Sequence, residues 1–330
     1  MQTLITAEEK AISVENIYKY YKQRGKRQRN QDIKSVDGVS FSLNKGEILG
    51  VIGESGCGKS TLGRILVKLE EPTSGSISIN GVPSQNLFKQ DPLAFRRTAQ
   101  MIFQNPFDTF DPRYTIAKVL ISSMKLHHIG ESKNERLAMC IDLLEKGGLK
   151  PATEYLHRYP HELSGGQLQR ISILRSMLLE PMFVVADEPV SMLDVSIRAD
   201  IINMLADLCK RENTAMVFIS HDITTTRYIS DRVAVMYLGR IVETGPTDEV
   251  MHNPQHPYTR ALISNSVQLD SFENQQIIHI AGEPPTPINI GPGCRFAPRC
   301  YQSRESCNHE DPESTHIGNG HYVSCPYINE

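Results

Sequence analysis

The stretch Gly53-Glu54-Ser55-Gly56-Cys57-Gly58-Lys59-Ser60 decides the fold of this chain. A short apolar run, Ile48–Ile52, precedes it, and residues 59–66 have the pattern of a helix. Glycines in such a loop let backbone N–H groups converge on a phosphate, and the following helix offers its positive end. Lys59 would neutralise the β- and γ-phosphates, and Ser60 would ligate Mg²⁺. Strand, loop and helix together predict an α/β core that binds a nucleoside triphosphate.

The whole loop is expected to contact the nucleotide. The predicted contacts are Gly53, Glu54, Ser55, Gly56, Cys57, Gly58, Lys59, Ser60 and Thr61. Within this set Cys57 is interpreted as a spacer with its side chain turned outward, rather than as a redox switch. The side-chain chemistry of the loop is therefore assigned mainly to Lys59 and Ser60.

Polar residues that follow two apolar runs provide candidates for catalysis. Asp187 ends one apolar run, which places a carboxylate at the carboxyl edge of the sheet, where a metal would lie. Glu188 comes next and is the candidate for polarising the attacking water. His221 follows another apolar run and could contact the γ-phosphate, and Gln104 could sense metal and water. The predicted magnesium ligands are Ser60, Gln104 and Asp187.

A second glycine-containing motif, Leu163-Ser164-Gly165-Gly166-Gln167, precedes a helix predicted over residues 168–178. Ser164 can cap this helix, and the two glycines expose backbone N–H groups at its positive end. Taken alone, the motif could be only a helix cap with turn glycines. Together with the phosphate loop, it gives one chain two half-sites for phosphate. If the helical segment holds them apart, neither half-site is complete within one chain.

Size and composition limit the classes of function. A chain of 330 residues has room for one large α/β domain and an appendage. The net charge of −3 gives no sign of general affinity for nucleic acid. No apolar run approaches the roughly 20 residues that span a bilayer, and residues 1–4 do not begin a secretory signal, so a soluble, cytosolic chain is expected. One basic run is interpreted as a solvated loop of the N-terminal sheet: Lys19, Lys22, Arg24, Lys26, Arg27 and Arg29.

The pattern along the chain predicts its organisation. Short strands separated by turns are expected before residue 50, and a hairpin is expected at Asn80-Gly81. Residues 110–180 are mostly helical in pattern. Two buried parallel strands, 183–186 and 215–219, enclose an amphipathic helix that begins near Asp194. A second hairpin should turn at Leu238-Gly239, and a shift to proline and cysteine places a domain boundary near residue 250.

These motifs, in this order, make residues 12–250 resemble the ABC transporter ATPases. The resemblance implies a P-loop NTPase core with an antiparallel β subdomain and a helical subdomain at about 105–180. It also implies a head-to-tail dimer in which residues 163–167 of each chain close the ATP site of its partner. Tyr21 matches the aromatic residue that stacks on adenine, with Tyr20 and Tyr18 as rivals. Asp194, in the motif Ser191-Met192-Leu193-Asp194, matches the D-loop residue that faces the partner subunit.

A narrower resemblance, to the oligopeptide/dipeptide importer ATPases, covers nearly the whole chain. It is carried by the phosphate loop, by Asp187-Glu188-Pro189-Val190-Ser191 and by His256-Pro257-Tyr258-Thr259. It implies an ATPase domain over 1–250 and a Pro/Cys-rich extension over 251–330. It further implies a subunit that energises import of peptides or a related small solute. The implied partners are a second ATPase, expected to be a paralogue, two membrane permeases at whose cytoplasmic face the chain sits, and an extracytoplasmic solute-binding protein.

Other functions remain open from the sequence. Nickel and other small-solute importers belong to the same group of proteins. A non-transport ABC ATPase of translation or DNA repair would usually carry two ATPase units, whereas this chain has one. An exporter subunit is disfavoured by the C-terminal extension, through the resemblance alone. One departure, residues 108–113 (Asp-Thr-Phe-Asp-Pro-Arg), stands beside the surface expected to meet a membrane subunit and bears on the identity of that partner.

Four cysteines crowd the C-terminal extension: Cys294, Cys300, Cys307 and Cys325. In a reducing compartment such a group favours metal ligands over disulfides. No Cys-x-x-Cys pair is present, which disfavours the common zinc ribbons. The family resemblance implies a [4Fe–4S] cluster that holds short, proline-broken segments together. A Cys/His zinc site is the alternative, because the same stretch contains His309, His316 and His321.

Overall fold

The computed structural model describes residues 10–22, 32–266, 277–288 and 290–328. These divide into two compact units, each assembled from several segments. Unit 1 consists of the described residues of Met1–Ile12, Leu43–Glu47 and Ser78–Met216. Unit 2 consists of the described residues of Ser13–Ser42, Ile48–Ile77 and Val217–Glu330. Within the described ranges, no helix combines the length and apolar character needed to cross a bilayer.

The strands of the described residues are, in chain order, β1 Lys10–Lys22, β2 Asp32–Asn44, β3 Ile48–Ile52, β4 Ser74–Ile79, β5 Val82–Pro83, β6 Ala99–Ile102, β7 Phe183–Asp187, β8 Ala215–Ile219, β9 Arg232–Tyr237, β10 Arg240–Pro246, β11 Thr315–Gly318 and β12 His321–Val323. The α-helices are α1 Lys59–Leu66, α2 Ser84–Gln90, α3 Pro92–Thr98, α4 Ile116–Leu126, α5 Lys133–Lys146, α6 Ala152–Leu156, α7 Gly165–Met177, α8 Val195–Arg211, α9 Ile223–Ile229, α10 Thr247–His252 and α11 Pro257–Ser266.

The N-terminal strands differ from the prediction of short strands. Both β1 and β2 are 13 residues long. Asn16 and Gly38, which favour turns in a sequence, lie inside β1 and β2 with φ of 48° and 80°. They distort the strands locally without ending them, because pairing continues on either side. Of the predicted basic loop, Lys19 and Lys22 belong to β1, and the remaining members lie outside the described residues.

In unit 2, β3 is buried along its whole length and pairs in parallel with β9, with Ile52 opposite Val235. β9 and β10 form the predicted hairpin, which turns at Leu238-Gly239. Both turn residues have positive φ, as the tight turn that matches strand twist requires. β10 continues the sheet to β12 and then to β11. β3 ends at Ile52, and the phosphate loop follows directly from Gly53.

Unit 1 confirms the predicted helical stretch and the parallel strand β7. α4, α5, α6 and α7 enclose an apolar cluster that includes Leu120, Leu144 and Leu168, each fully buried. β6 pairs in parallel with β7, with Ile102 opposite Ala186. The pairing follows from their near-continuous apolar sequences, which suit strands covered on both faces. The Asn80-Gly81 turn is also present and joins β4 to β5.

Candidate functional site

The loop between β3 and α1 excludes side chains at two of its glycines. Gly53 has φ of 152° and Gly58 has φ of 106°. A Cβ at Gly53 would lie 2.1 Å from the carbonyl oxygen of Met236, and one at Gly58 would lie 2.0 Å from that of Ser35. These backbone atoms cannot move aside easily, so the loop requires glycine at both positions.

Helix α1 begins at Lys59, as the sequence predicts. Its N-cap residue is Gly58, which provides no side-chain hydrogen bond to the first turn. The first backbone N–H groups of a helix have no intrahelical acceptor, and they lie at the positive end of the helix dipole. The start of α1 therefore has the donors and the charge that suit an anion.

Lys59 is held inside the loop. Its Nζ donates to the carbonyl oxygens of Gly53, at 2.7 Å, and Glu54, at 2.9 Å, and only 5% of the residue is exposed. Cys57 Sγ lies 3.7 Å from the same Nζ. The prediction that Cys57 points outward is wrong, because Cys57 is 3% exposed and the loop turns its side chain toward Lys59. Burial raises the pKa of this thiol despite the nearby ammonium of Lys59. Because its pKa is raised, the thiol stays neutral.

Glu54 has two partners that the sequence did not predict. Its backbone N–H donates to the hydroxyl of Tyr258 at 2.9 Å, and its carboxylate pairs with the guanidinium of Arg299. Tyr258 belongs to the motif His256-Pro257-Tyr258-Thr259, and Arg299 stands beside Cys300; neither has a local sequence signal for contact with Glu54. The loop and both partners belong to unit 2.

Tyr21, the predicted adenine-stacking residue, lies near the end of β1. Its hydroxyl donates to the carboxylate of Glu70, and Lys19 Nζ lies 5.1 Å from its ring centroid. Of the rivals, Tyr20 donates its hydroxyl to Asp37, and Tyr18 packs edge-on against the ring of Tyr20. Burial and the Asp37 carboxylate raise the pKa of Tyr20. The hydroxyl groups of Tyr20 and Tyr21 both donate to carboxylates, and Tyr21 stays our prediction for adenine contact.

His221 is exposed and directly follows a residue that pairs with β3. The backbone N–H of Ser220 donates to the carbonyl oxygen of Val51 at 3.2 Å. His221 therefore stands at the same edge of unit 2 as the end of β3, from which the phosphate loop emerges. Asp222, next in sequence, caps α9 by accepting from the N–H of Thr225.

Unit 1 brings Gln104 and Glu188 into direct contact, although they are 84 residues apart. Gln104 Nε2 donates to Glu188 Oε2 at 2.9 Å and to Ser191 Oγ at 3.1 Å. Ser191 Oγ in turn donates to the carbonyl oxygen of Glu188 at 3.1 Å. Glu188 has a positive φ of 47°, and Asp187 before it is buried at the end of β7. Gln104 and Ser191 thus fix the carboxylate of Glu188, a geometry suited to orienting a water molecule.

The second motif forms the start of α7. This helix begins at Gly165, three residues before the predicted start, because both glycines belong to its first turn. Ser164 Oγ accepts from the N–H of Gln167 at 3.3 Å, and Gln167 Oε1 accepts from the N–H of Ser164 at 3.1 Å. This reciprocal capping box gives Gln167 a structural role that the sequence analysis missed. Leu163 is buried and anchors the turn. The N–H groups of Gly165 and Gly166 have no intrahelical acceptor, so this helix end can also bind an anion.

The segment that joins β7 to α8 combines a carboxylate with exposed apolar side chains. Asp194 is the N-cap residue of α8 but makes no side-chain cap hydrogen bond. Met192 and Val195 on either side are 61% and 78% exposed. Leu193 is 8% exposed, and its Cδ2 would lie 3.6 Å from a Cβ at Gly165. This segment therefore packs against the start of α7 and presents apolar groups to solvent.

The four C-terminal cysteines line one cavity of about 340 Å³ in unit 2. Burial raises the pKa of Cys294 to about 11 and also raises the pKa of Cys300 and Cys325. Even so, the described part of the chain contains no group of three or more His, Cys, Asp or Glu side chains placed to hold a metal ion. The cysteines are thus brought together around a space, without the convergence on one point that a single ion requires.

The histidines of the alternative Cys/His site are not among the residues that line this cavity. His321 is buried in β12, and its Nε2 lies 2.8 Å from Glu243 Oε1. The ring of His316 packs against Tyr322, with centroids 4.8 Å apart. Strand pairing of β11 and β12 therefore draws both side chains into other contacts, and the structure does not assemble the predicted Cys/His site.

Comparison with known proteins adds two family matches. Residues 36–191 match the ABC transporter family, and residues 242–307 match the C-terminal region of oligopeptide/dipeptide transporters. A dipeptide transport ATP-binding protein of Escherichia coli (strain K12) is 44% identical over 296 residues, which are 89% of this chain and 86% of that protein. One from Haemophilus influenzae is 42% identical over 311 residues, 94% of each chain.

A solved structure has the same fold over most of its length. It is a dimeric post-hydrolysis state of an ATP-binding cassette bound to ADP and Pi, with a TM-score of 0.63 and 25% sequence identity. The match covers 72% of this chain and 98% of that one.

Proposed function

This chain belongs to the ABC transporter ATPases and, among them, to the oligopeptide/dipeptide transport ATP-binding proteins, and from that membership we propose how its residues act. It is an ATPase that energises peptide import. The observation that carries this function is the identity above 40% over about nine tenths of the chain, C-terminal region included. A nickel or other small-solute importer is the second candidate, because specificity resides in partner subunits.

We propose that hydrolysis follows from the two groups of residues described above. Lys59 and the N–H groups at the start of α1 bind the triphosphate. Water attacks the γ-phosphorus, its proton passes to the carboxylate of Glu188, and ADP leaves with the electrons of the broken β–γ bridge. Gln104 holds that carboxylate in position, and His221 contacts the γ-phosphate. When bound, Mg²⁺ neutralises phosphate charge; its proposed ligands are Ser60, Gln104 and Asp187.

The nucleotide is proposed to lie between two subunits, arranged head to tail. Two features support this arrangement. The capped start of α7, over residues 163–167, is an anion-binding end with no lysine. The segment around Asp194 exposes the apolar side chains of Met192 and Val195, which a partner subunit would cover. We propose that Ser164 and its glycines close the ATP site of the partner, and that the partner is a paralogue of this chain.

The remaining partners follow from the role of an importer subunit. An ATP-binding subunit without a membrane-spanning helix among its described residues needs membrane subunits to move a solute. We propose two permeases, contacted from the cytoplasmic face of the membrane, and an extracytoplasmic solute-binding protein. The proposed domains are an ATPase domain over residues 1–250 and a C-terminal extension over residues 251–330. Within the ATPase domain, a helical subdomain at about 105–180 is proposed to transmit motion to the permeases.

The cysteine cavity is proposed to hold a [4Fe–4S] cluster with a structural role. Support comes from the donor set: Cys294, Cys300, Cys307 and Cys325 line one cavity of about 340 Å³. Their thiolates would be the ligands, and the bound cluster would cross-link segments that have little apolar core of their own. A single zinc ion fits less well, since no three of the described Cys, His, Asp or Glu side chains are placed to hold one ion.

Two measurements test the proposed function. Mixed with its paralogue, the Glu188→Gln chain should form a stable dimer on adding ATP, seen by light scattering after size exclusion. The corresponding Lys59→Ala mixture should stay monomeric. In proteoliposomes that contain the permeases, ATP hydrolysis should drive uptake of a labelled dipeptide. Uptake of nickel but no peptide would support the second candidate, and ATP binding by Lys59→Ala at full affinity would contradict the assignment of the phosphate loop.

A further inference from the structure

Glu54, the second residue of the phosphate loop, is fixed from three directions. Its backbone N–H donates to Tyr258 Oη at 2.9 Å. Its carboxylate receives two hydrogen bonds from Arg299, with Nη1 2.7 Å from Oε2 and Nη2 3.0 Å from Oε1. Its carbonyl oxygen accepts from Lys59 Nζ at 2.9 Å. One residue therefore connects the C-terminal residues Tyr258 and Arg299 to the lysine that would bind phosphate.

Arg299 is committed to this contact. Its side chain is 7% exposed. Besides Glu54, it donates from Nε to the carbonyl oxygen of Ala281 at 3.2 Å, from Nη2 to that of Gly282 at 2.9 Å and from Nη1 to Tyr237 Oη at 3.4 Å. A guanidinium has five N–H donors, so these five hydrogen bonds use all of them. No donor is left for a nucleotide, and Arg299 can act on the site only through Glu54.

Tyr258 is equally restricted. It is fully buried in α11, with its ring 4.7 Å from that of Tyr237 and 5.3 Å from that of Phe296, centroid to centroid. Packing on both neighbours holds the hydroxyl at one place, which is where the N–H of Glu54 needs an acceptor. Burial is also the main cause that raises the pKa of this phenol, so the hydroxyl stays neutral at ordinary pH.

We propose that Arg299 and Tyr258 are positioning residues for ATP binding, and that the C-terminal region thereby completes the phosphate loop. They orient Glu54, whose carbonyl oxygen holds Lys59. Arg299 also neutralises a carboxylate that would otherwise repel the triphosphate. The inference rests on the proposed function in one respect, that this loop binds ATP.

The effect of each residue on ATP binding can be separated by a double-mutant cycle. Arg299→Gln leaves the Glu54 carboxylate uncompensated beside the phosphates, and we expect ATP affinity to fall about 10-fold. Glu54→Gln removes that charge, so adding Arg299→Gln to Glu54→Gln should weaken binding less than about threefold. Arg299→Lys keeps the positive charge but cannot form the two parallel hydrogen bonds to the Glu54 carboxylate. We therefore expect its ATP affinity to lie between those of Arg299→Gln and the unmodified chain.

The measurement is equilibrium binding of a fluorescent N-methylanthraniloyl-ATP to the full chain, followed by steady-state hydrolysis in the assembled transporter. KM for ATP should rise while kcat changes less than twofold, because Gln104 and Glu188 are untouched. The matched control is Arg304→Gln, in the same region, whose guanidinium stacks 4.0 Å above the ring of Tyr327. It should bind ATP as the unmodified chain does.

Two outcomes would overturn the inference. The first is ATP affinity of Arg299→Gln within twofold of the unmodified chain. The second is an equal loss on adding Arg299→Gln to the unmodified chain and to Glu54→Gln, which would show that Arg299 acts without the Glu54 carboxylate. If Arg299→Gln does not fold, Tyr258→Phe decides, since it keeps the ring packing and should weaken ATP binding about threefold; unchanged binding refutes the proposal. Lys59→Ala separates this result from failure of the proposed function, because its full ATP affinity would remove the phosphate loop itself.

Discussion

In the proposed mechanism, replacing Glu188 by Gln isolates the chemical step from nucleotide binding. The two side chains have the same shape, and an amide oxygen at the position of Oε2 can still accept from Gln104 Nε2, now 2.9 Å away. The hydrogen bond from Ser191 Oγ goes to the backbone carbonyl oxygen of Glu188 and is unaffected. What changes is basicity, because an amide cannot take a proton from the attacking water.

The expected magnitude follows from that single loss. General-base catalysis contributes about 10²- to 10⁴-fold, so kcat should fall by at least about 10²-fold, or roughly 3 kcal/mol of activation free energy. The free energy of unfolding should change by less than about 0.5 kcal/mol, because the hydrogen bonds from Gln104 Nε2 and Ser191 Oγ persist. The affinity for ATP should stay within twofold.

The assay is single-turnover hydrolysis of radiolabelled ATP by the assembled transporter, with thermal unfolding of the same preparations. The control is Glu180→Gln. Glu180 also has a positive φ, of 50°, and lies in unit 1, but its carboxylate is at the surface, 3.7 Å from Arg97. It should hydrolyse ATP normally. A Glu188→Gln chain with more than a tenth of normal turnover would refute the role of Glu188, and an equal loss in both variants would point to a general effect of removing charge.

Three further predictions concern unit 2. Arg295 pairs with Asp37 in the interior, and Arg240 Nη2 is 3.2 Å from the same carboxylate. Because Arg240 remains, Arg295→Met should lower the free energy of unfolding in urea by about 2–3 kcal/mol, which is less than for an isolated buried pair. A decrease below about 1 kcal/mol would contradict this prediction. Burial acts to raise the pKa of Asp37, but the Tyr20 hydroxyl and both arginines outweigh burial and lower the pKa below 3.8. The contribution of Asp37 to stability is therefore present above that pH and declines below it. This decline should be less steep in Arg295→Met. The chain purified without oxygen should absorb near 400 nm, a rough value for iron–sulfur thiolates, and Cys300→Ser should lose iron; a colourless chain with zinc would exclude the cluster.

The local sequence determined the elements that carry the chemistry. The start of α1 at Lys59, the turn at Leu238-Gly239 and the cap at Ser164 all depend on backbone preferences within a few residues. Each of these signals depends on residues at neighbouring positions, so a single sequence is enough to predict these elements. Where a turn-favouring residue stood inside a longer strand, as Asn16 does in β1, the same local reading failed, because pairing with neighbouring strands outweighed the local preference.

Only the tertiary structure decided which distant groups meet. Gln104 reaches Glu188 across 84 positions, and Arg299 reaches Glu54 across 245. The tertiary structure also turned the Cys57 side chain inward, and it gathered the four C-terminal cysteines around a cavity that His309, His316 and His321 do not line. Such contacts form when the packing of strands and helices brings together residues that are far apart in the sequence. The local hydrophobic periodicity does not determine which of their side chains then face each other. The sequence therefore determined that a phosphate loop exists, while the fold determined that Arg299 and Tyr258 hold it.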